Sequence, residues 1–253
     1  MLLPGALPAQ ADVLPPICPD RPGKGTSPCT VEAGHFQAEL DIYDGSFQHR
    51  GGITTTATTG GGLLLKYGVN DRLDVEAGMA LWQGTGRHGA GADTLQQGNG
   101  DLTLRAKWNT GNSGPLAVFI QPFLKLPTAT GGTGNGKVEG GFLIPLGYDL
   151  GGGWSLGATP ESDVTLNASG HGYHAMLVNV FGINRALDNG LNLEAEIWTA
   201  QNFDPAATNA QASFDLCAAL LADNDTQLDG GVNFGLNRAT PDLQFYFGIA
   251  RRL

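Results

Sequence analysis

Leu63-Leu64-Leu65-Lys66-Tyr67-Gly68-Val69-Asn70-Asp71-Arg72-Leu73-Asp74-Val75-Glu76-Ala77-Gly78-Met79-Ala80-Leu81 reads as two strands and a turn. Leu63, Leu65, Tyr67 and Val69 share one face of a period-two strand, Asn70-Asp71 turns the chain, and Leu73, Val75, Ala77, Met79 and Leu81 share a face of the next. Lys66, Asp74 and Glu76 point the other way. In a soluble sheet that charged face would be the wet exterior. In a closed sheet crossing a membrane, the same alternation sets charge against a hydrated lumen and apolar side chains against lipid.

The pattern recurs along the chain. About twelve alternating runs follow one another, an even number as expected when both ends of an up-and-down antiparallel barrel lie on one side of the membrane. The run 35–44 sends Phe36, Ala38, Leu40 and Ile42 outward and Gln37, Glu39 and Asp41 inward; the run 101–109 sends Leu102, Leu104, Ala106 and Trp108 outward and Asp101, Thr103, Arg105 and Lys107 inward. Further runs are read at 116–126, 138–148, 154–166, 173–184, 191–199, 212–221, 228–236 and 243–253. Pro122, Pro145 and Pro160 each predict a local break in the ladder, because proline donates no hydrogen bond. The alanines of 212–221 would suit a helix as well.

Connection lengths alternate too. Short links at 70–71, 110–114, 149–153, 185–190 and 222–225 interleave with longer ones at 45–61, 83–100, 128–137, 167–172 and 200–211, while 237–241 is a short exception. Bacterial outer-membrane barrels sort their turns in this way, short on the periplasmic side and long outside. A secreted soluble β-sandwich that binds a ligand is the alternative fold, and it has no reason to sort its loops. Trp82, Trp108, Trp154 and Trp198 lie near run ends, as interfacial aromatics do, but Trp82 and Trp198 fall on inward parity and are read as lining the pore mouth.

Composition narrows the function. The 253 residues carry a formal net charge of −10, without the clustered Lys and Arg that a phosphate backbone requires, so nucleic acid is not an expected partner. No run approaches the roughly 18 apolar residues of a spanning helix. Residues 1–11, with Leu2, Leu3, Leu7 and Ala9-Gln10-Ala11, read as the remnant of an export signal. Residues 12–33 form a Pro- and Gly-rich extension, and residues 34–253 the barrel. Cys18 and Cys29 flank a loop in that extension and could close a disulfide in an oxidising periplasm, while Cys217 lies within an apolar run as a small packing residue.

The order of several segments resembles the outer-membrane transporter family named for the meta-pathway of phenol degradation. Asp20-Arg21-Pro22 with Thr26-Ser27, Gly34-His35-Phe36-Gln37-Ala38-Glu39, Leu65 to Asp74, Gly100 to Lys107, Leu126-Pro127-Thr128, Leu228 to Leu236 and Pro241-Asp242-Leu243 carry the resemblance. It implies a pore or facilitator for small, aromatic or hydrophobic compounds. One departure is the end: such chains usually finish on an aromatic residue, and this one finishes Arg251-Arg252-Leu253.

Strand parity nominates Glu39, Asp41, Lys66, Asp74, Glu76, Arg105, Lys107, Lys125, Glu139, Glu194, Glu196 and Arg252 as lumen-lining. Glu39 and Asp41 are expected beside Arg252, Asp74 and Glu76 opposite Arg105 and Lys107, and Lys125 beside Glu139. Such charges either select a passing solute or pair across strands to stiffen a narrow lumen. Replacing Arg105 or Lys107 with Ala is expected to change flux more than folding yield. Asp20 and Arg21 are candidates for a lumenal plug, the other reading of their segment being a periplasmic tail. His171 and His174 lack a third metal ligand, and Ser169 with His171 is the one nearby nucleophile and base for the alternative of an outer-membrane lipid hydrolase. Gly60-Gly61-Gly62 and Gly131-Gly132-Thr133-Gly134 lack the Lys-Ser/Thr of a phosphate loop and read as turns. No catalytic activity, metal or cofactor is expected. The expected partners are outer-membrane lipid, a small-molecule solute and the barrel-assembly machinery during insertion.

Overall fold

The computed structural model describes residues 14–89, 91 and 93–253, so the signal-like stretch 1–11 lies outside the described residues. The described residues are all β, in fourteen strand segments: β1 (Phe36–Arg50), β2 (Ile53–Asn70), β3 (Leu73–His88), β4 (Thr94–Gly98), β5 (Leu102–Ser113), β6 (Leu116–Leu126), β7 (Glu139–Leu143), β8 (Leu146–Gly151), β9 (Trp154–Leu166), β10 (Tyr173–Ala186), β11 (Leu191–Asn202), β12 (Asn209–Asp223), β13 (Thr226–Gly235) and β14 (Leu243–Arg252). All ladders between them are antiparallel, and β14 pairs with β1, which closes the ring.

Fourteen segments make twelve barrel strands. β4 and β5 continue one another against β3, and β7 and β8 continue one another between β6 and β9. The second interruption falls at Pro145, the expected break. Across it the ladder is kept by Ile144 donating to the Pro160 carbonyl at 2.9 Å and Phe119 donating to the Pro145 carbonyl at 2.9 Å. Pro122 and Pro160 lie within continuous strands, but the ladders break beside them as expected: the β5–β6 pairing skips Pro122 and Gln121, and Pro160 faces the β7/β8 interruption while keeping Asn179 of β10 as its other neighbour.

Exposure follows parity in the inverted sense of a membrane barrel. Leu65, Val75, Leu81, Trp108 and Phe181 are exposed, while Lys66, Asp74, Glu76 and Lys107 are buried. Charges inside and bare aliphatic residues outside are stable only where the outside is hydrocarbon. A sandwich, with two sheets meeting over an apolar core, is ruled out by the single closed sheet. The alanine-rich run is strand β12, because its neighbours β11 and β13 supply ladder partners on both sides.

Two expected outer loops are largely strand. Instead of a loop over 45–61, β1 and β2 run on to a tight turn at Gly51 and Gly52, both with positive φ (57° and 77°), the conformation that favours glycine in a two-residue hairpin. Over 83–100, β3 extends to His88 and β4 pairs back onto it. The Thr-rich run 54–59 is polar on both faces, so alternation could not reveal it. A bulge after Asp41 also resets the parity of β1: Ile42 and Tyr43 both face outward, and Tyr43 stacks on Phe245 at 5.3 Å. Beyond the bulge, even-numbered Asp44 therefore points inward, where the Gln244 side chain donates to it.

The outer loops 167–172 and 203–208 are tied together by Asp204, whose carboxylate accepts from Ala168 N at 2.6 Å and from Ala206 N at 2.8 Å. These backbone donors hold its carboxyl below the usual carboxylate range. The tie is therefore fully present above the ordinary Asp pKa and fades as the pH falls through the lowered value. Asp204→Ala is expected to raise hydrogen exchange in both loops at pH 7 and leave the barrel strands unchanged; equal protection in the two proteins would refute the tie.

Candidate functional site: a charged segment inside the lumen

The N-terminal segment enters from the end with the short turns. Ile17 donates to the Asn224 carbonyl at 2.8 Å, and the Pro15 carbonyl accepts from Arg252 at 2.9 Å. The returning leg leaves at the same end: Val31 donates to Asp74 at 3.0 Å, Glu32 pairs with Arg252 at 2.7 Å, and Ala33 bridges to Gly68. Between the legs, Cys18 and Cys29 are disulfide-bonded with their Cα atoms 6.2 Å apart, closing a loop whose tip lies among inward side chains from both sides of the barrel. Proline at 19, 22 and 28 keeps this loop from extending a strand ladder.

Each charged side chain of the loop meets a wall group of opposite charge. Asp20 pairs with Lys107 and, at 3.2 Å, with Lys66, and its backbone N–H donates to Glu39 at 3.0 Å. Lys66 reaches Glu39 at 3.2 Å as well, Lys107 approaches Glu76 at 3.7 Å, and Gln121 donates to Glu76 at 2.8 Å. Arg21 lies over Gly248 of β14 and bridges Asp41 on β1 to Asp229 on β13, donating to the latter at 2.7 Å. Glu196 on β11 accepts the backbone N–H groups of Lys24 at 2.8 Å and Gly25 at 3.0 Å. Thr26 donates to Thr159 on β9 at 3.1 Å.

The nominated residues therefore separate into groups. Glu39, Asp41, Lys66, Asp74, Glu76, Lys107 and Glu196 all contact the segment or its immediate partners. Lys125 pairs with Asp101 and Glu139, each at 2.8 Å, near the outer mouth and apart from the segment. Glu194 lines the wall beside Glu196. Asp74 and Glu76 stand in register with Lys107 and Arg105, as expected. Arg252 does not serve Glu39 or Asp41: it pairs with Glu32 of the returning leg and Asp225 of the β12–β13 turn, while Glu39 and Asp41 are taken by Lys66 and Arg21. Arg105 forms no ion pair or side-chain hydrogen bond among the described residues.

Parity alone missed several members. Asp229 follows outward Leu228 and was legible as inward, and Asp215 was hidden in the alanine-rich run. Lys24 sits in a stretch with no periodicity, so nothing local marks it. Trp198 does face inward, beneath the Lys24 ammonium at 4.4 Å, while Trp108 and Trp154 are exposed on the outside. Cys217 packs on the lumen side, 3.0 Å from the Tyr246 hydroxyl. The Ser169 hydroxyl engages the backbone of His171 and not its imidazole, so the two are not arranged as nucleophile and base. His174 contacts Thr165 and Asn167.

Space remains on both sides of the segment. A cavity of about 380 Å³ lies toward the short turns, walled by Gly157, Gly182, Ala186 and Glu194, and one of about 390 Å³ opens outward past Leu64, Ala80 and Arg105. Asp20, Arg21, Pro22 and Gly23 border both.

A closed twelve-strand sheet with an apolar exterior and a charged, partly open lumen defines an outer-membrane β-barrel, which places the protein in the bacterial outer membrane. Within that class, the chain belongs to the family described as "Putative MetA-pathway of phenol degradation", whose model matches residues 19–253. Among solved structures it is similar to an outer membrane channel from Pseudomonas putida F1, at 16% identity with a TM-score of 0.70, covering 92% of this chain and 99% of that one. It is also similar to the NanC porin, at 10% identity and a TM-score of 0.55 over 85% of this chain and all of the other. The β-domain of the Bordetella autotransporter BrkA is similar at 15% identity, with a TM-score of 0.55 over 88% of this chain and all of that domain. No curated protein sequence matches the chain.

Proposed function

We propose that this barrel is a passive pore or facilitator for small solutes, aromatic or hydrophobic compounds among them, and that residues 14–33 act as a plug that narrows its lumen. The observation that carries the reading is the pair of cavities meeting at Asp20 to Gly23, each large enough for a single-ring solute, with only the segment between them. The family's name supports an aromatic solute, and the small residues of the inner wall support passage along the segment's flank. The mechanism needs no catalytic group: a solute exchanges bulk water for a confined polar channel.

Liposomes carrying the purified protein are expected to swell faster in benzoate, phenol or catechol than protein-free liposomes, and faster than in a disaccharide of larger cross-section. Equal rates for all solutes would remove the selectivity from the proposal, and no swelling would remove the pore. Arg105→Ala should alter these rates in a normally folded barrel, because no carboxylate depends on it for its only ion pair. Lys107→Ala should reduce folding yield as well, since it strips Asp20 of a partner in a buried cluster. Identical behaviour of the two variants would argue against this division.

A further inference from the structure

Lys24 occupies a pocket that looks built for an ammonium group. Its Nζ donates to the Ser213 hydroxyl at 2.7 Å, lies 3.3 Å from the Asp215 carboxylate and stands 4.4 Å above the Trp198 ring. Ser213 and Asp215 are almost fully buried on β12, and neither Asp215 oxygen accepts a hydrogen bond from any described residue. The wall thus holds a desolvated carboxylate whose one cationic neighbour within ion-pair distance is carried on the tip of the N-terminal loop. A buried carboxylate stripped of its cation is costly, so Lys24 leaves only if another cation replaces it. The Trp198 face favours an organic cation over a strongly hydrated inorganic one.

A route to this pocket is present. A cavity of about 280 Å³ runs from Lys24 and Trp198 to Thr240 and Pro241 in the outer loop that joins β13 to β14. The pocket therefore sits at the outer end of the lumen, where a solute from outside arrives first.

We propose that Trp198, Ser213 and Asp215 form a binding site for the ammonium head of a small alkylamine, held at rest by the chain's own Lys24. An arriving amine takes the place of Lys24 and releases the tip of the loop. The proposal rests on the pore reading only for the amine's approach from outside, and binding itself is measurable whether or not the barrel conducts.

The test is calorimetric titration of the purified full chain in detergent with butylammonium chloride, the probe closest to the Lys24 side chain. Lys24→Met keeps the stem and removes the charge. It should bind butylammonium about tenfold or more tightly than wild type, because a tethered competitor at millimolar effective concentration is gone. Adding Asp215→Asn or Trp198→Leu to Lys24→Met should abolish that binding, while sodium and butyrate should give no comparable heat. No gain in Lys24→Met, retained binding in Lys24→Met/Asp215→Asn, or equal binding of sodium would overturn the proposal. Wild type provides a reading free of any refolding failure: butylammonium should speed hydrogen exchange of the 18–29 loop, and unchanged exchange would overturn the displacement. Swelling assays run in parallel report on the pore independently, so a conducting barrel that ignores butylammonium sinks only this site.

Discussion

Deleting residues 14–33 should raise single-channel conductance severalfold while the barrel still inserts and migrates as a folded, heat-modifiable species. The ring is closed by ladders between strands, to which the segment adds a single bridge at Ala33 and Gly68, so its removal leaves every strand its two neighbours. Lys66 keeps Glu39, and Lys107 keeps Glu76, within ion-pair distance. Asp41 and Asp229 lose Arg21, but water entering the vacated lumen solvates them. The two cavities then merge into one conduit. An unchanged current in the deleted protein would mean that ions pass by a route the segment does not narrow, and the plug would have to be abandoned.

The second large effect concerns stability. Asp20, Glu39, Asp74 and Glu76 surround Lys66 and Lys107, so four carboxylates share two cations, and the Lys66 side chain has no solvent exposure. Lys66→Met leaves a single cation in that cluster, and breaking a buried pair from one side costs about 3–5 kcal/mol. Asp20→Asn should cost much less, because it brings the cluster closer to neutrality while keeping the shape. Denaturant unfolding of the two variants in the same detergent checks the order. A Lys66→Met barrel as stable as wild type, or an Asp20→Asn barrel less stable than Lys66→Met, would show that lumenal water screens the cluster.

Much of the architecture was legible in the chain because lipid on one side and water on the other impose a period of two on each strand. Lys66, Asp74, Glu76 and Lys107 could be placed inward from their neighbours alone, and parity set Asp74 and Glu76 facing Arg105 and Lys107 on the adjacent strand. The reading failed where the constraint relaxes. Beyond the apolar belt both faces of β1, β2 and β3 are wet, so polar threonines and glycines replace the alternation and leave those strand ends without a periodic signal. At Ile42 the bulge inserted a residue that no periodicity encodes.

The lumenal network was less accessible for a related reason. Arg21 and Lys24 come from a segment without regular structure, and their partners Asp229 and Asp215 lie about two hundred residues away in the chain. Alternation is a local property, set by what each side chain touches across the membrane normal, and the sequence by itself determined a closed antiparallel barrel with a polar interior. Which cation meets which carboxylate, that the N-terminal loop lies among the inward side chains, and that Arg105 has no ion pair among the described residues depend on closing the ring. Only tertiary structure decided them, because only closure brings the first strand against the last and sets both around the same enclosed space.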